Sequence, residues 1–330
     1  MNNAVDSERP PLGIRVLSAL AKEPSWSTMT DEELVTFRDA ENRKRASRPA
    51  RLITGLPDSG ATIGWQEIAL PGRDLRVRVY RPSVTSGAGA HDASLPLVLH
   101  VHGGGFVGTA VQSDWVNSCL ASRLPAVVVS VEHRLLAPGV PLSAAVDDGC
   151  DVLESVLQNA RHWGIDAGRA AVFGESAGAA ITALVALRLR NLGQPLQAQV
   201  LVNPCVDLTA GMYDYASMTQ HAETPTLTTA QMQFFYSLAV PPGTDPGSLS
   251  PLHAADLSLL PPALVVVATV DPVADHGRCY AERLQQAGTP AQVAEYRGAT
   301  HAFLSMPGLL RQARPARAKI LEFLRAHLLS

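Results

Sequence analysis

From about residue 65 onward, short runs of β-branched and other apolar residues alternate with longer stretches of helical periodicity. The runs fall at 75–80, 97–101, 126–131, 170–173, 200–202, 263–270 and 292–296. Several are apolar with scarcely a break. A strand without in/out alternation is buried on both faces, so the pattern predicts an α/β architecture: a mostly parallel sheet held between helices. Residues 143–163 read as one such helix, with Val146, Leu153, Val156 and Leu157 on a single stripe, and a longer one follows Ser176.

Two regions depart from this rhythm. From Pro11 to about Ala50 the pattern is helical throughout. Thr30 and Glu33 form a capping box, Asp31, Glu32 and Glu33 fill a first turn, and Arg43, Lys44 and Arg45 close the other end. Between Asp207 and about Ala255, prolines, threonines and the group Met232, Phe234, Phe235 and Tyr236 separate two strand-like runs. Insertions of this size usually serve function. It is expected to join the N-terminal helices in covering something, its aromatic residues packed inward; a plain helical excursion is the alternative. No internal repeat is visible, and the Ser/Gly/Ala-rich stretch 83–94 reads as an exposed, mobile loop.

At 330 residues and 46% hydrophobic content, the chain can build one large domain with its own core. Its 27 basic and 30 acidic residues leave a formal charge of −3, so no strong field favours nucleic acid or an anionic membrane, and a small neutral substrate fits better. Cys119, Cys150, Cys205 and Cys279 have neither paired nor metal-ligand spacing, so they read as buried thiols, with no disulfide framework and no zinc site. Glu8, Pro10 and Pro11 stand where a secretory leader needs a basic start, and Arg15 interrupts the apolar run that follows. No apolar run approaches the ~20 residues that span a bilayer. A cytoplasmic protein without stable membrane insertion is expected.

The chemistry-bearing segments come in a definite order. Gly174-Glu175-Ser176-Ala177-Gly178 follows one strand and opens a helix, the strand-turn-helix context of a nucleophile elbow. Small neighbours let the strand and helix pack closely and the serine hydroxyl project. His102-Gly103-Gly104-Gly105-Phe106 directly follows another strand, where the N–H groups of Gly103 and Gly104, with that of Ala177, are candidates for an oxyanion hole. A flexible or phosphate-binding glycine loop is the bland reading, but no phosphate-loop pattern accompanies it. Asp271 and then His301 follow the last two strands and complete a candidate Ser176–His301–Asp271 triad. His253, His276 and Asp275 compete for these roles, with His276 read as solvated or capping. Glu175 reads as a buried prop of the elbow that needs a partner such as Arg134, or else as an exposed side chain.

Together these motifs resemble the hormone-sensitive-lipase-like esterases, the bacterial family IV branch of the α/β-hydrolases, from about Arg78 to His301. Further landmarks are Arg134-Leu135-Leu136-Ala137-Pro138, Ala144-Ala145-Val146-Asp147-Asp148, Gly164-Ile165-Asp166, Asp271-Pro272 and His301-Ala302-Phe303. The resemblance implies an eight-stranded, mostly parallel sheet with a small helical cap. Residues 1–55 would be N-terminal cap helices, 207–255 the cap insertion, and 56–206 with 256–330 the catalytic domain. It also implies a serine carboxylesterase acting on short-acyl esters through an acyl-enzyme without a cofactor, with the triad and oxyanion residues above on the family's positions. The sequence departs from the family at Glu175, where Asp is usual, in an extra residue near Leu135-Leu136, and at Gly139-Val140 in place of Glu-His. The larger cholinesterase-like group shares the glycine loop and the Gly-Glu-Ser-Ala-Gly motif, but has longer chains and usually a Glu acid. An amidase or deacetylase of a specialised metabolite, a lipase working at an oil interface and a non-catalytic small-molecule binder are the rival readings. A homodimer remains open.

Overall fold

The computed structural model describes residues 10–20, 24–83 and 94–329. The stretch read above as a mobile loop and the start of the leader reading lie largely outside the described residues.

Helices α1 (Leu12–Leu20), α2 (Asp31–Arg45) and α3 (Arg51–Thr54) precede the sheet. The capping box of α2 forms as read: the Thr30 N–H donates to the Glu33 carboxylate at 2.8 Å, and the Glu33 N–H to Thr30 Oγ1 at 3.3 Å. Among the described residues, eight strands build one sheet: β1 (Ala61–Leu70), β2 (Arg73–Pro82), β3 (Leu95–Val101), β4 (Val127–Val131), β5 (Ile165–Glu175), β6 (Ala198–Val202), β9 (Ala263–Val270) and β10 (Ala291–Thr300). A two-residue pair, β7 (Glu223–Thr224) and β8 (Leu227–Thr228), stands apart. The sheet order is β1-β2-β4-β3-β5-β6-β9-β10. β2 is antiparallel to β1 and β4, and all other neighbours are parallel.

The apolar runs are buried on both faces, as their pattern requires. Leu97, Leu99 and Val101 pack with residues of α5 (Leu142–Gln158), α7 (Ala177–Asn191) and α10 (Ala274–Gln286). Val98, between them, packs on the opposite side with α4 (Asp114–Arg123) and α11 (Ala313–Leu328). Each fully buried Val or Leu contributes about 1.5–3 kcal/mol. The two sheet faces are therefore the main cohesion of the fold.

Three readings are corrected. β1 is absent from the strand pattern because only its Ile68 and Leu70 are buried, which leaves no apolar run to mark it. The single helix over 143–163 divides at Asn159, whose side-chain amide donates to the Ser155 carbonyl at 2.8 Å; a short α6 (Ala160–Trp163) follows. Cys279 is only partly buried, unlike the other three thiols.

The topology fixes where a site can form. From β3 the chain steps to β4 on one side and then crosses to β5 on the other, which leaves a crevice at the carboxyl ends of β3 and β5. The N-terminal helices and the segment 207–255, which carries α8 (Ala216–Gln220) and α9 (Thr229–Ala239), meet beside it. Trp26 lies 5.5 Å from Phe37, 5.4 Å from Phe106 and 5.6 Å from Phe234, ring centre to ring centre. The two ends of that segment are tied by the buried Asp207 carboxylate, which accepts from Tyr215 Oη at 3.0 Å and lies 3.1 Å from His253 Nε2.

Candidate active site

Ser176 is the joint between β5 and α7, with φ 58° and ψ −122°. A non-glycine residue in so sparsely populated a region costs about 1–3 kcal/mol. Its surroundings impose that conformation: the Ser176 N–H donates to the Val202 carbonyl at 2.8 Å, and the Ser176 carbonyl accepts from Ala179 N at 2.9 Å. Gly178 allows the close approach, because a Cβ there would lie 2.3 Å from the Val101 carbonyl oxygen. The hydroxyl is thereby turned out of the sheet toward the crevice.

Ser176 Oγ lies 2.6 Å from His301 Nε2. His301 Nδ1 lies 2.8 Å from Asp271 Oδ2, and Asp271 Oδ1 accepts from the Val273 N–H at 3.1 Å. Asp271 is fully buried and His301 nearly so. Burial disfavours the imidazolium, yet the charge and hydrogen bond of Asp271, with Glu175 adding, outweigh it and raise the His301 pKa above its ordinary 6.5. Three residues separated by up to 125 positions thus converge, and an Nε2 that accepts from Ser176 requires the proton on Nδ1.

The glycine loop after β3 abuts this line, since β3 and β5 pair directly with Val101 opposite Gly174. A Cβ on Gly103 would come 3.5 Å from Ser176 Cβ. Gly104 has φ +91°, and a side chain there would meet the Val107 carbonyl at 1.7 Å. Ala177 begins α7 with its N–H in the helix's first turn, among the donors that have no intrahelical partner. The structure therefore brings Gly103, Gly104 and Ala177 to the same cavity as Ser176 and His301.

The competing residues lie elsewhere in the network. His276 is fully buried rather than solvated: its Nδ1 accepts from Asp207 N at 3.4 Å, Tyr215 packs on its ring, and burial holds its pKa at about 4. His253 pairs with Asp207, and Asp275 accepts from Arg278 at 2.8 Å and from Ser217 N at 2.9 Å. Glu175 is buried, and its partner is Ser305, whose hydroxyl donates to Oε2 at 2.7 Å. Burial raises the Glu175 pKa, while Ser305, His301 and Arg45 oppose the shift. Arg134 instead donates to Asp148 at 3.1 Å. Ser305, Gln112 and Asn203 contact the site and were not singled out from sequence. Only the Asn-Pro pair that follows β6 marks Asn203 as a turn position.

A cavity of about 530 Å³ opens onto Ser176 and His301. Trp26 and Phe37 from the N-terminal region and Met232 and Phe235 from α9 supply much of its apolar wall. A largely apolar, concave pocket with a few convergent polar groups suits a small organic molecule.

The alpha/beta hydrolase fold family model matches residues 98–305. The chain is 33% identical over 319 residues to the carboxylesterase NlhH of Mycobacterium tuberculosis, covering 92% of this chain and 95% of that protein. It is 32% identical to an ethyl acetate hydrolase of Pseudomonas putida, covering 87% of this chain and 90% of the other. The solved structure of a hyperthermophilic esterase from the archaeon Pyrobaculum calidifontis superposes with a TM-score of 0.84 at 30% identity, over 96% and 97% of the two chains. The chain belongs to the α/β-hydrolase family. Within it, the chain falls in the hormone-sensitive-lipase-like branch and is a carboxylic ester hydrolase. Among the described residues, no helix is long and apolar enough to cross a membrane.

Proposed function

We propose that this protein hydrolyses short-acyl carboxylic esters through an acyl-enzyme, with Ser176 as nucleophile, His301 as general base and acid, and Asp271 orienting the imidazole. The observation that carries this reading is the hydrogen-bonded line from Ser176 Oγ through His301 to Asp271, at 2.6 and 2.8 Å. A serine hydroxyl is too weak a nucleophile without such a base.

In the first half-reaction, Ser176 Oγ attacks the ester carbonyl while His301 Nε2 takes its proton. The carbonyl oxygen becomes an oxyanion that accepts from the N–H groups of Gly103, Gly104 and Ala177. The Asp271 carboxylate stabilises the imidazolium without taking its proton. On collapse, the C–O bond to the leaving group breaks, His301 protonates that oxygen, and the alcohol departs. Water then attacks the acyl-serine with His301 as base, and the second collapse releases the acid and returns the proton to Ser176.

The helices ahead of β1 and the segment 207–255 form a cap over this site in the same reading, with Trp26, Phe234 and Phe106 as its apolar seam. The likeness to an ethyl acetate hydrolase supports short acyl groups. Four free thiols support a reducing, cytoplasmic setting.

The test is hydrolysis of p-nitrophenyl acetate, butyrate and a long-chain ester by wild type and Ser176→Ala without added metal. Short-chain esters are expected to be cleaved best, and the substitution to remove on the order of 10⁶-fold of kcat. Activity that survives in Ser176→Ala rejects the nucleophile, and faster cleavage of the long-chain ester rejects the acyl preference.

A further inference from the structure

A planar trans peptide holds its C=O and its N–H pointing in opposite directions. The N–H of Gly104 shares a peptide plane with the carbonyl of Gly103, so whatever fixes the carbonyl also aims the N–H. Two side chains fix it: Gln112 Nε2 donates to the Gly103 carbonyl at 3.0 Å, and His102 Nδ1 lies 3.1 Å from the same oxygen. Gln112 is buried in the short 3₁₀ turn Ala110–Ser113 and has an amide that works only one way round. Arg45 donates from Nη1 to Gln112 Oε1 at 3.0 Å, the shorter of two bonds to that oxygen, the other coming from the Thr109 N–H at 3.4 Å, and this orientation leaves Nε2 facing Gly103.

Arg45 sits in the last turn of α2, outside the sheet domain. Two other residues on the same face of that helix, spaced by three and four positions, bind the same loop. Asn42 Oδ1 accepts from the Gly108 N–H at 2.9 Å, and Arg38 Nε donates to the Phe106 carbonyl at 2.9 Å. Arg38 also reaches the Leu136 carbonyl at 2.6 Å. One helix face therefore bonds the main chain at the far end of the glycine loop, at Phe106 and Gly108, and reaches Gly103 through the side chain of Gln112. Such a match is more than the covering of an apolar pocket requires.

We propose that Arg45, acting through Gln112, is a positioning residue for the oxyanion hole, so that docking of α2 aims the Gly104 N–H at the developing charge. This rests on the reading that Ser176 is the nucleophile and that Gly104 faces the oxyanion. Docking of the N-terminal helices then governs the chemical step as well as access to the pocket.

The test uses full-length Arg45→Met and Gln112→Glu. Gln112→Glu keeps an acceptor for Arg45, so it preserves the tie between α2 and the loop, but it sets an acceptor against the Gly103 carbonyl in place of the donor. Each variant is compared with wild type for kcat and KM on p-nitrophenyl butyrate. Binding of a trifluoromethyl ketone, which forms a tetrahedral adduct with the serine, is compared with binding of the matched methyl ketone. Thermal unfolding reports folding. In both variants kcat is expected to fall about ten- to a hundredfold, less than the ~10²–10³ lost when an oxyanion donor is removed outright, with KM little changed. Trifluoromethyl ketone affinity should fall by the same factor and methyl ketone affinity should hold.

Full activity in Gln112→Glu overturns the proposal, because a merely structural link survives that substitution. A loss confined to KM, or one that weakens both ketones alike, overturns it in favour of pocket shaping. A wild-type protein that forms no adduct with the trifluoromethyl ketone overturns the nucleophile reading and the proposal with it. A normal wild type with unaffected variants overturns the proposal alone.

Discussion

Asn203 holds the main chain of His301: its side-chain amide donates to the His301 carbonyl, and its Oδ1 accepts from the Ala268 N–H at 2.8 Å. Asn203 is buried at the end of β6 with φ +45°, a conformation asparagine adopts more readily than most residues. His301, the proposed general base, is thus held through its backbone by the turn after a neighbouring strand as well as through its ring by Asp271.

Asn203→Asp keeps the shape and the acceptor but removes the donor and sets a carboxylate oxygen against the His301 carbonyl. An unsatisfied buried group costs about 1–3 kcal/mol. Displacement of the base by even ~1 Å can cost on the order of 10²-fold in rate. Thermal unfolding and kcat on p-nitrophenyl butyrate measure the two effects, and an Asn203→Asp protein with wild-type kcat contradicts this role.

Activity should rise with pH along a limb whose midpoint lies above 6.5, since the His301 pKa is raised and only neutral imidazole accepts the serine proton. The stability contributed by the same group has the opposite sign. A folded-state pKa raised above the unfolded value means that His301 stabilises the fold fully below about 6.5 and that this contribution is lost as pH rises through the folded value. A pH–kcat/KM profile locates the limb, and a midpoint below 6.5 contradicts the account.

Glu175→Gln tests the buried acid beside Ser176, the proposed nucleophile. Glutamine can still accept from Ser305, so the fold is expected to hold. The Glu175 charge is one of the groups that raise the His301 pKa, so its removal should move the acid limb to lower pH. An unshifted limb would leave Glu175 with a packing role only.

Acid should loosen the floor of the glycine loop. His102 and His133 stack at 4.3 Å under Gly103, and burial lowers the pKa of each to about 4. Both must charge on unfolding, so the stability they contribute is intact above about 6.5 and is lost progressively as pH falls through about 4. His133→Asn should reduce the steepness of acid unfolding followed by far-UV circular dichroism, and an unchanged profile counts against the pair.

The order of strands and motifs was legible where a local pattern reports its own environment. β9 is buried on both faces, so its apolar run is continuous and its end at Asp271 is sharp. The capping box of α2 lies within four residues, and the elbow at Ser176 is announced by small neighbours in a strand-turn-helix context. β1 left no such mark, because only Ile68 and Leu70 of it are buried and Gly64 interrupts its run of β-forming residues. His276 misled for the converse reason: it stands in a polar sequence, and only the packing of Tyr215 and Asp207 around it removes it from water.

By itself, the sequence determined the α/β-hydrolase framework and the candidate groups at the carboxyl ends of β3, β5, β9 and β10, because strand burial, turn chemistry and capping act over a few residues. The hydrogen bonds of Arg45 to Gln112, of Gln112 to Gly103, of Ser305 to Glu175 and of Asn203 to His301 were decided only by the tertiary structure. Each joins side chains or main chain from different elements, and all but one span more than 60 residues. Gln112, only nine residues from Gly103, accepts at Oε1 from an arginine 67 positions away. A polar residue's partner depends on which surfaces the folded sheet brings together, and no local period in the chain encodes that.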